Sequence, residues 1–174
     1  MKRIMYPFAA FAFIVASAFT VISSQNWKID SNAVVKFDGG DPSGEFSGLK
    51  GAINFDPNDL AGSKMDVTLD VATINTGNGM KNTHAKSAKW FDAEKYPVIR
   101  FTSAAFTKTA TGYEAKGIVD MHGVQKEATI PFTFTNNTFA GSLTINRLDY
   151  NINTEEPKHG SATFKVDITV PVTK

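Results

Sequence analysis

The 174-residue chain contains no cysteine, which excludes a disulfide framework, a thiolate nucleophile, a cysteine-ligated zinc site and a lipid carried on an N-terminal cysteine. Charge of a single sign is also lacking. The 18 Lys and Arg face 17 Asp and Glu, a formal net charge of +1, so nothing favours a polyanion and nucleic acid is not an expected partner. His84, His122 and His159 are scattered without HExxH spacing, and a metal site is not expected from them. Asp56, Asn58 and Asp59 have part of a calcium-loop pattern, but the glycine falls at Gly62 and no Glu follows at the needed distance, so a turn is the better account. There is no G-x-S-x-G and no Ser with a nearby His and acid, so no catalytic residue, no enzyme activity and no cofactor are expected. What the chain does have is 42% hydrophobic residues and 14 Phe, enough for the core of one domain in the usual range of about 100–200 residues.

Lys2 and Arg3 precede an apolar stretch from Ile4 to Ile22 broken by Pro7 and by small or hydroxylated residues, the layout of a signal peptide. Cleavage is expected after Ser24, with Ala18 as the other candidate point. A run of about 19 residues is just long enough for a membrane anchor, but Pro7 and the weakly apolar Ala and Ser positions oppose that reading. The expected division is a signal peptide over 1–24 and one domain over 25–174, periplasmic or secreted, with no membrane span after cleavage. Losing Lys2 and Arg3 leaves 16 basic against 17 acidic groups, a net charge of −1. The Asn136-Asn137-Thr138 sequon has meaning only in a glycosylating secretory pathway.

From Trp27 onward the hydrophobic pattern has period two, the mark of strands with one buried and one wet face. Met65, Val67, Leu69 and Val71 alternate with Asp66, Thr68 and Asp70; Ala128, Ile130, Phe132 and Phe134 alternate with Thr129, Pro131, Thr133 and Thr135. Phe139 to Ile145 and Ala162 to Val170 repeat the pattern. Further strands are expected near Ala33 to Phe37, Glu45 to Phe55, Val98 to Phe106 and Tyr113 to Met121. Gly39-Gly40-Asp41-Pro42, Asp56-Pro57-Asn58-Asp59, Thr111-Gly112, His122-Gly123 and Asn136-Asn137 supply the turns. The resulting fold class is all-β, an antiparallel barrel of about eight strands, since closure removes unpaired edges. Pro131 lacks an N–H and predicts a bulge or an unpaired position. One interval breaks the alternation: Asn78, Asn82 and Thr83 can cap a short helix covering Met80 to Trp90, before Pro97 returns the chain to extended form.

An eight-stranded barrel is either filled by its own side chains or holds one slender ligand. Ten of the Phe lie beyond residue 24, including Phe37, Phe46, Phe55, Phe101, Phe132, Phe134 and Phe164. They fit an apolar tunnel for a long acyl or isoprenoid chain, but an ordinary aromatic core is the reading that the pattern alone favours. His84, Lys86, Lys89, Lys95 and Arg100 cluster in sequence and suit either a polar headgroup at a barrel mouth or a solvated basic helix. Asp92 is expected to cap a turn, with Tyr96 and Pro97 packing the loop.

The same segment resembles the YceI-like polyisoprenoid-binding family: His84, Lys86 and Ser87, then Phe91-Asp92, then Lys95-Tyr96-Pro97, then Ile99, Phe101 and Ser103. Trp27-Lys28-Ile29-Asp30, Gly48 to Asp56 and Gly117 to Lys126 extend the likeness over essentially all of 26–174. The resemblance implies a lipocalin-like barrel, exported to the periplasm, that carries or sequesters an isoprenoid-chain lipid such as a polyprenyl phosphate or a quinone, without a catalytic step. With such a ligand, the tail is expected against Phe37, Phe55, Phe101, Phe132, Phe134 and Phe164, and the head near His84, Lys86, Trp90 and Lys95. A filled-core envelope stress or interaction module is the alternative, and a homodimer is left open. The chain departs from the family pattern at Asn82, where an acid is common, at Ala85 and Trp90, where Leu and Phe are usual, and at Val119-Asp120 in place of Leu-Thr.

Overall fold

The computed structural model describes residues 25–156, 158 and 160–174; the expected signal peptide and His159 lie outside the described residues. Ten strands form one antiparallel sheet: β1 (Asn26–Ile29), β2 (Val34–Asp38), β3 (Ser43–Phe46), β4 (Leu49–Asn54), β5 (Lys64–Asp70), β6 (Val98–Lys108), β7 (Tyr113–Met121), β8 (Val124–Thr135), β9 (Thr138–Asn146) and β10 (Thr163–Thr173). The ring β1-β4-β5-β6-β7-β8-β9-β10 closes through β1–β10 pairing, as in Lys28 opposite Thr173. Eight strands therefore make the barrel, as expected, and the count of ten arises from two interruptions.

Both interruptions have local causes. Between β1 and β2 the Asp30 carboxylate accepts from Asn32 N (2.8 Å) and its carbonyl from Ala33 N (3.1 Å), folding four residues into a turn within one bent strand. The single strand expected over Glu45 to Phe55 breaks at Gly48, whose φ of +75° suits glycine. β2 then pairs with β3 (Val35 opposite Phe46) and β1 with β4 (Trp27 opposite Ile53), so the two bent strands stay side by side.

Tight turns close the later hairpins. Asn136 and Asn137, both at positive φ (49° and 55°), join β8 to β9, the geometry of a two-residue primed turn. His122 and Gly123 do the same between β7 and β8 (53° and 73°). Pro131 marks a boundary: the β8–β9 ladder runs only from Phe132 opposite Gly141 to Thr135 opposite Thr138. From Val124 to Pro131, β8 keeps its register with β7 alone, because a residue without an N–H cannot continue the second ladder.

The helix α1 spans Gly79–Lys86, shorter than the expected Met80 to Trp90. Asn78 caps it, its side chain accepting from Met80 N (3.0 Å) and Lys81 N (3.1 Å). It ends where Ser87 turns extended and donates its N–H to His84 O at 3.0 Å. Asn82 acts inside the helix instead of capping it: its Oδ1 accepts from Thr76 N (2.8 Å) and the Thr76 hydroxyl (2.7 Å), tying α1 to the incoming chain.

Candidate functional site

Period-two alternation sends every second side chain inward, and the odd-numbered residues of β4, β5 and β9 do so here: Leu49 and Ile53, Met65 to Leu69, Phe139 to Ile145. On β10 the inward set is Phe164, Val166, Ile168 and Val170. In β6 a register shift between Ser103 and Ala105 moves the inward position from Phe101 to Phe106, so both rings reach the interior.

The two ends of the barrel differ. At one end Phe55, fully buried, is surrounded by the rings of Phe106, Tyr113, Phe132, Phe134 and Phe139 at centroid distances of 5.2–5.7 Å. Trp27 meets Phe134 edge-on at 5.2 Å and donates its Nε1–H to Phe55 O at 2.9 Å. This plug closes the end. Above it lies a cavity of about 600 Å³, bounded by Phe132 and Phe139 on the plug side and by Asp41, Pro42, Lys81, His84 and Gly160 at the opposite mouth. The interior is thus filled at one end and open at the other.

The expected tail residues divide accordingly. Phe37, Phe101, Phe132 and Phe164 line the cavity. Phe55 and Phe134 do not; they sit in the plug beneath it, because period two fixes which face a residue takes but not its height in the barrel. Of the expected mouth residues, His84 and Trp90 border the cavity, as do Ala85 and Val119, two of the departures from the family pattern. Lys86 and Lys95 are not on the cavity wall. Lys95 is exposed and lies over the Tyr96 ring, 5.1 Å from its centroid, and Tyr96 in turn packs edge-on against His122 at 4.7 Å. The Asp92 carbonyl accepts from Lys95 N and Tyr96 N, so the turn expected there is made by the backbone.

The sequence reading missed the connection after β9, where a short 3₁₀ turn (Arg147–Tyr150) leads into a strap over the mouth. Arg147, only 3% exposed, lines the cavity. It donates to the carbonyls of Ser161 (3.0 Å), Ile152 (2.7 Å), Asn153 (2.9 Å) and Glu156 (3.4 Å), and its guanidinium stands 5.4 Å from the Trp90 ring centroid. Burial lowers its proton affinity below the ordinary arginine value. The strap is tied to the α1 side through Asn153 N to Lys89 O (3.1 Å) and a Lys89–Glu156 ion pair (2.7 Å), and to the β7–β8 turn through His122 Nδ1 and Tyr150 O (3.0 Å). The Asn153 carboxamide is buried with neither polar atom hydrogen-bonded. Across the mouth, Lys81 Nζ meets Asp41 Oδ1 at 2.5 Å.

The turn residues Asp56 and Asp59 accept from Asn58 N (2.9 Å) and Gly62 N (3.0 Å), employing the carboxylates of the partial calcium-loop pattern in the turn itself. On the outer wall Arg100 grips Asp66 with two hydrogen bonds, Nε–Oδ1 being 2.7 Å, and the hydrogen bond from Arg100 holds the Asp66 carboxyl below the usual carboxylate range. That contribution to stability is present above the unfolded-state pKa of about 4 and fades as pH falls through the lower folded value. Both side chains are about half exposed, so Asp66→Asn should cost at most about 1 kcal/mol at neutral pH and low salt. Urea titrations at pH 7 and pH 2.5 test this; a difference from wild type that is the same at both would contradict it.

A YceI-like domain model matches residues 18–173. The chain belongs to the YceI-like family. The protein YceI of Escherichia coli is 27% identical over 139 residues, covering 74% of this chain and 71% of the relative. Among solved structures, Burkholderia cenocepacia BcnA superposes with a TM-score of 0.75 at 25% identity, covering 84% of this chain and all of that one. A polyisoprenoid-binding domain from Saccharophagus degradans superposes with a TM-score of 0.60 at 14% identity, covering 84% of this chain and 97% of its own, a likeness of fold. Among the described residues no helix is long and apolar enough to cross a membrane.

Proposed function

We propose that this YceI-like barrel is an exported binding protein that sequesters a chain-like lipid of the isoprenoid type, tail inward and head at the mouth, without catalysing a reaction on it. The observation that carries the reading is the cavity: about 600 Å³, walled by aliphatic and aromatic side chains and closed at its far end. Each CH₂ moved there from water contributes about 0.8 kcal/mol, and a slender chain matches a barrel interior of this width. Phe37, Phe101, Phe132 and Phe164 contact the tail in this account, with Phe55 and Phe134 supporting them from beneath. His84, Trp90, Lys81 and Arg147 meet the head, a polyprenyl phosphate or a quinone-like group. The polyisoprenoid binding named for the Saccharophagus domain concerns the same fold and agrees with this assignment. The basic, apolar leader over residues 2–22 supports export to the periplasm or beyond.

Leu143 gives a direct test, since it faces the cavity from mid-β9, opposite Val166 on β10, and is absent from the clustered buried core. Leu143→Trp should fold, obstruct the cavity midway along its length and reduce the affinity for geranylgeraniol at least about 100-fold, a loss of about 2.7 kcal/mol. The readout is ligand-induced thermal stabilisation, present in wild type and absent in the variant. Equal stabilisation of both would remove the cavity from the account. No stabilisation of either would favour an interaction module with no bound lipid.

A further inference from the structure

We propose that the α1 rim of the mouth is a docking surface for the anionic face of a lipid bilayer, with Met80 as the side chain that enters it. The inference rests on the chain-binding reading, since a water-insoluble chain is taken up where lipid holds it, and it names the partner at which that exchange takes place. Met80 is 71% exposed, the most of any large hydrophobic among the described residues. It stands in the first turn of α1, and Lys81 and His84 of the same helix border the mouth. α1 buries none of its eight residues, and Gly77 and Gly79 beside Met80 have open space where a Cβ would stand. Met80 thus projects from an accessible segment at the one opening of the cavity. Val98, 44% exposed at the start of β6, where the connection from α1 ends, extends the apolar contact.

One exposed apolar residue is ordinary on a protein surface; the charges around this one give it a partner. From Val71 to Phe91 the chain carries Lys81, Lys86 and Lys89 and no acid. The strap on the other side of the mouth has the opposite balance, with Asp149, Glu155 and Glu156 exposed beside Lys158. Lys81 and Lys89 are paired with Asp41 and Glu156, but both pairs are open to solvent, where such pairs hold weakly and exchange readily for lipid phosphates. An anionic surface attracts the α1 rim and repels the strap. The barrel therefore tilts with Met80 in the interface and the mouth beside it. Attachment of this kind grows with the apolar area buried and with the number of cations, and one Met with three Lys makes it weak and reversible, as suits a protein that leaves with its ligand.

The test is co-sedimentation of the protein, purified from its own compartment, with phosphatidylcholine vesicles that contain or lack phosphatidylglycerol. Wild type should partition at least about fivefold more strongly onto the anionic vesicles, and the difference should vanish at high salt. Met80→Asp should lower that partitioning at least about tenfold. An aspartate in the first turn favours the helix, so the loss does not arise from unfolding of α1. Lys86→Gln should lower it about fivefold on the anionic vesicles only, and Ile118→Asp, on the outer wall of β7, should leave it unchanged. A polarity-sensitive dye on Met80→Cys, the sole thiol of such a variant, should shift to the blue on anionic vesicles, and the same dye on Ile118→Cys should not. No partitioning of wild type, or equal partitioning of wild type and Met80→Asp, would overturn the docking surface; thermal stabilisation by geranylgeraniol without vesicles would then show chain binding intact. Partitioning that depends on Met80 with no stabilisation by the prenol would support the docking surface and overturn the chain-binding reading.

Discussion

Replacing Phe55 with Ala should destabilise the domain by about 3–5 kcal/mol, the range for removing a fully enclosed aromatic ring, and lower the melting temperature by roughly 10 °C. The size of the effect follows from where the ring sits. Phe55 is wholly buried and five neighbouring rings point edges or faces at it, geometries that add about 0.5–1.5 kcal/mol per pair beyond area burial. These neighbours come from β6, β7, β8 and β9, and Trp27 on β1 bonds to the Phe55 carbonyl, so one truncation opens a void shared by most of the barrel. The same truncation at Phe164, half-buried at the cavity wall, should cost only about 1–2 kcal/mol, because its ring already borders space. Calorimetry on the two variants separates a packed end from an open one. Equal losses would mean that the interior is uniformly packed.

Arg147→Met is expected to cost about 3 kcal/mol and to free the strap. A hydrogen bond to a charged group is worth about 1.5–3 kcal/mol, and carbonyls stranded in the interior lose that and their hydration. Here the guanidinium gathers the carbonyls of Ser161, Ile152, Asn153 and Glu156, which brings both ends of the connection between β9 and β10 to one point. Methionine keeps the bulk over Trp90 but offers no donor. Loss of the clamp should appear as faster limited proteolysis between Tyr150 and Ser161 under native conditions, with cleavage elsewhere unchanged, since local opening governs such nicking. Unchanged cleavage with reduced global stability would show that Arg147 supports the core without holding the strap.

The barrel was legible in the sequence because its two determinants are local. Alternation in Met65–Leu69 or Phe132–Phe134 states which side chains go inward, and Asn136-Asn137 or His122-Gly123 states where the chain reverses. Even the irregularity at Pro131 was foreseeable from its missing N–H, although only the sheet shows that the ladder lost is the one to β9. The site was legible in part, for a physical reason. Phe55, Phe132 and Phe134 look alike in an alternating pattern, and their separation into plug and cavity wall depends on how far each lies along the barrel axis, which strand register decides. Lys86 and Lys95 sit beside His84 and Trp90 in sequence, but a helix that ends at Lys86 and the turns after it give neighbouring residues different directions. Arg147 carried no signal, because an arginine in a polar connection is ordinarily exposed. Its burial depends on carbonyls spread from Ile152 to Ser161 along a strap that has no periodicity to read.

The central claim is that the cavity above the plug holds a chain-like lipid. The most direct measurement is native mass spectrometry of the protein purified from its own compartment without added lipid, followed by organic extraction and identification of what it carries. The account predicts a single species of isoprenoid mass in a one-to-one complex, displaced or absent in Leu143→Trp. A bare chain that also gains no stability from added prenols would contradict it.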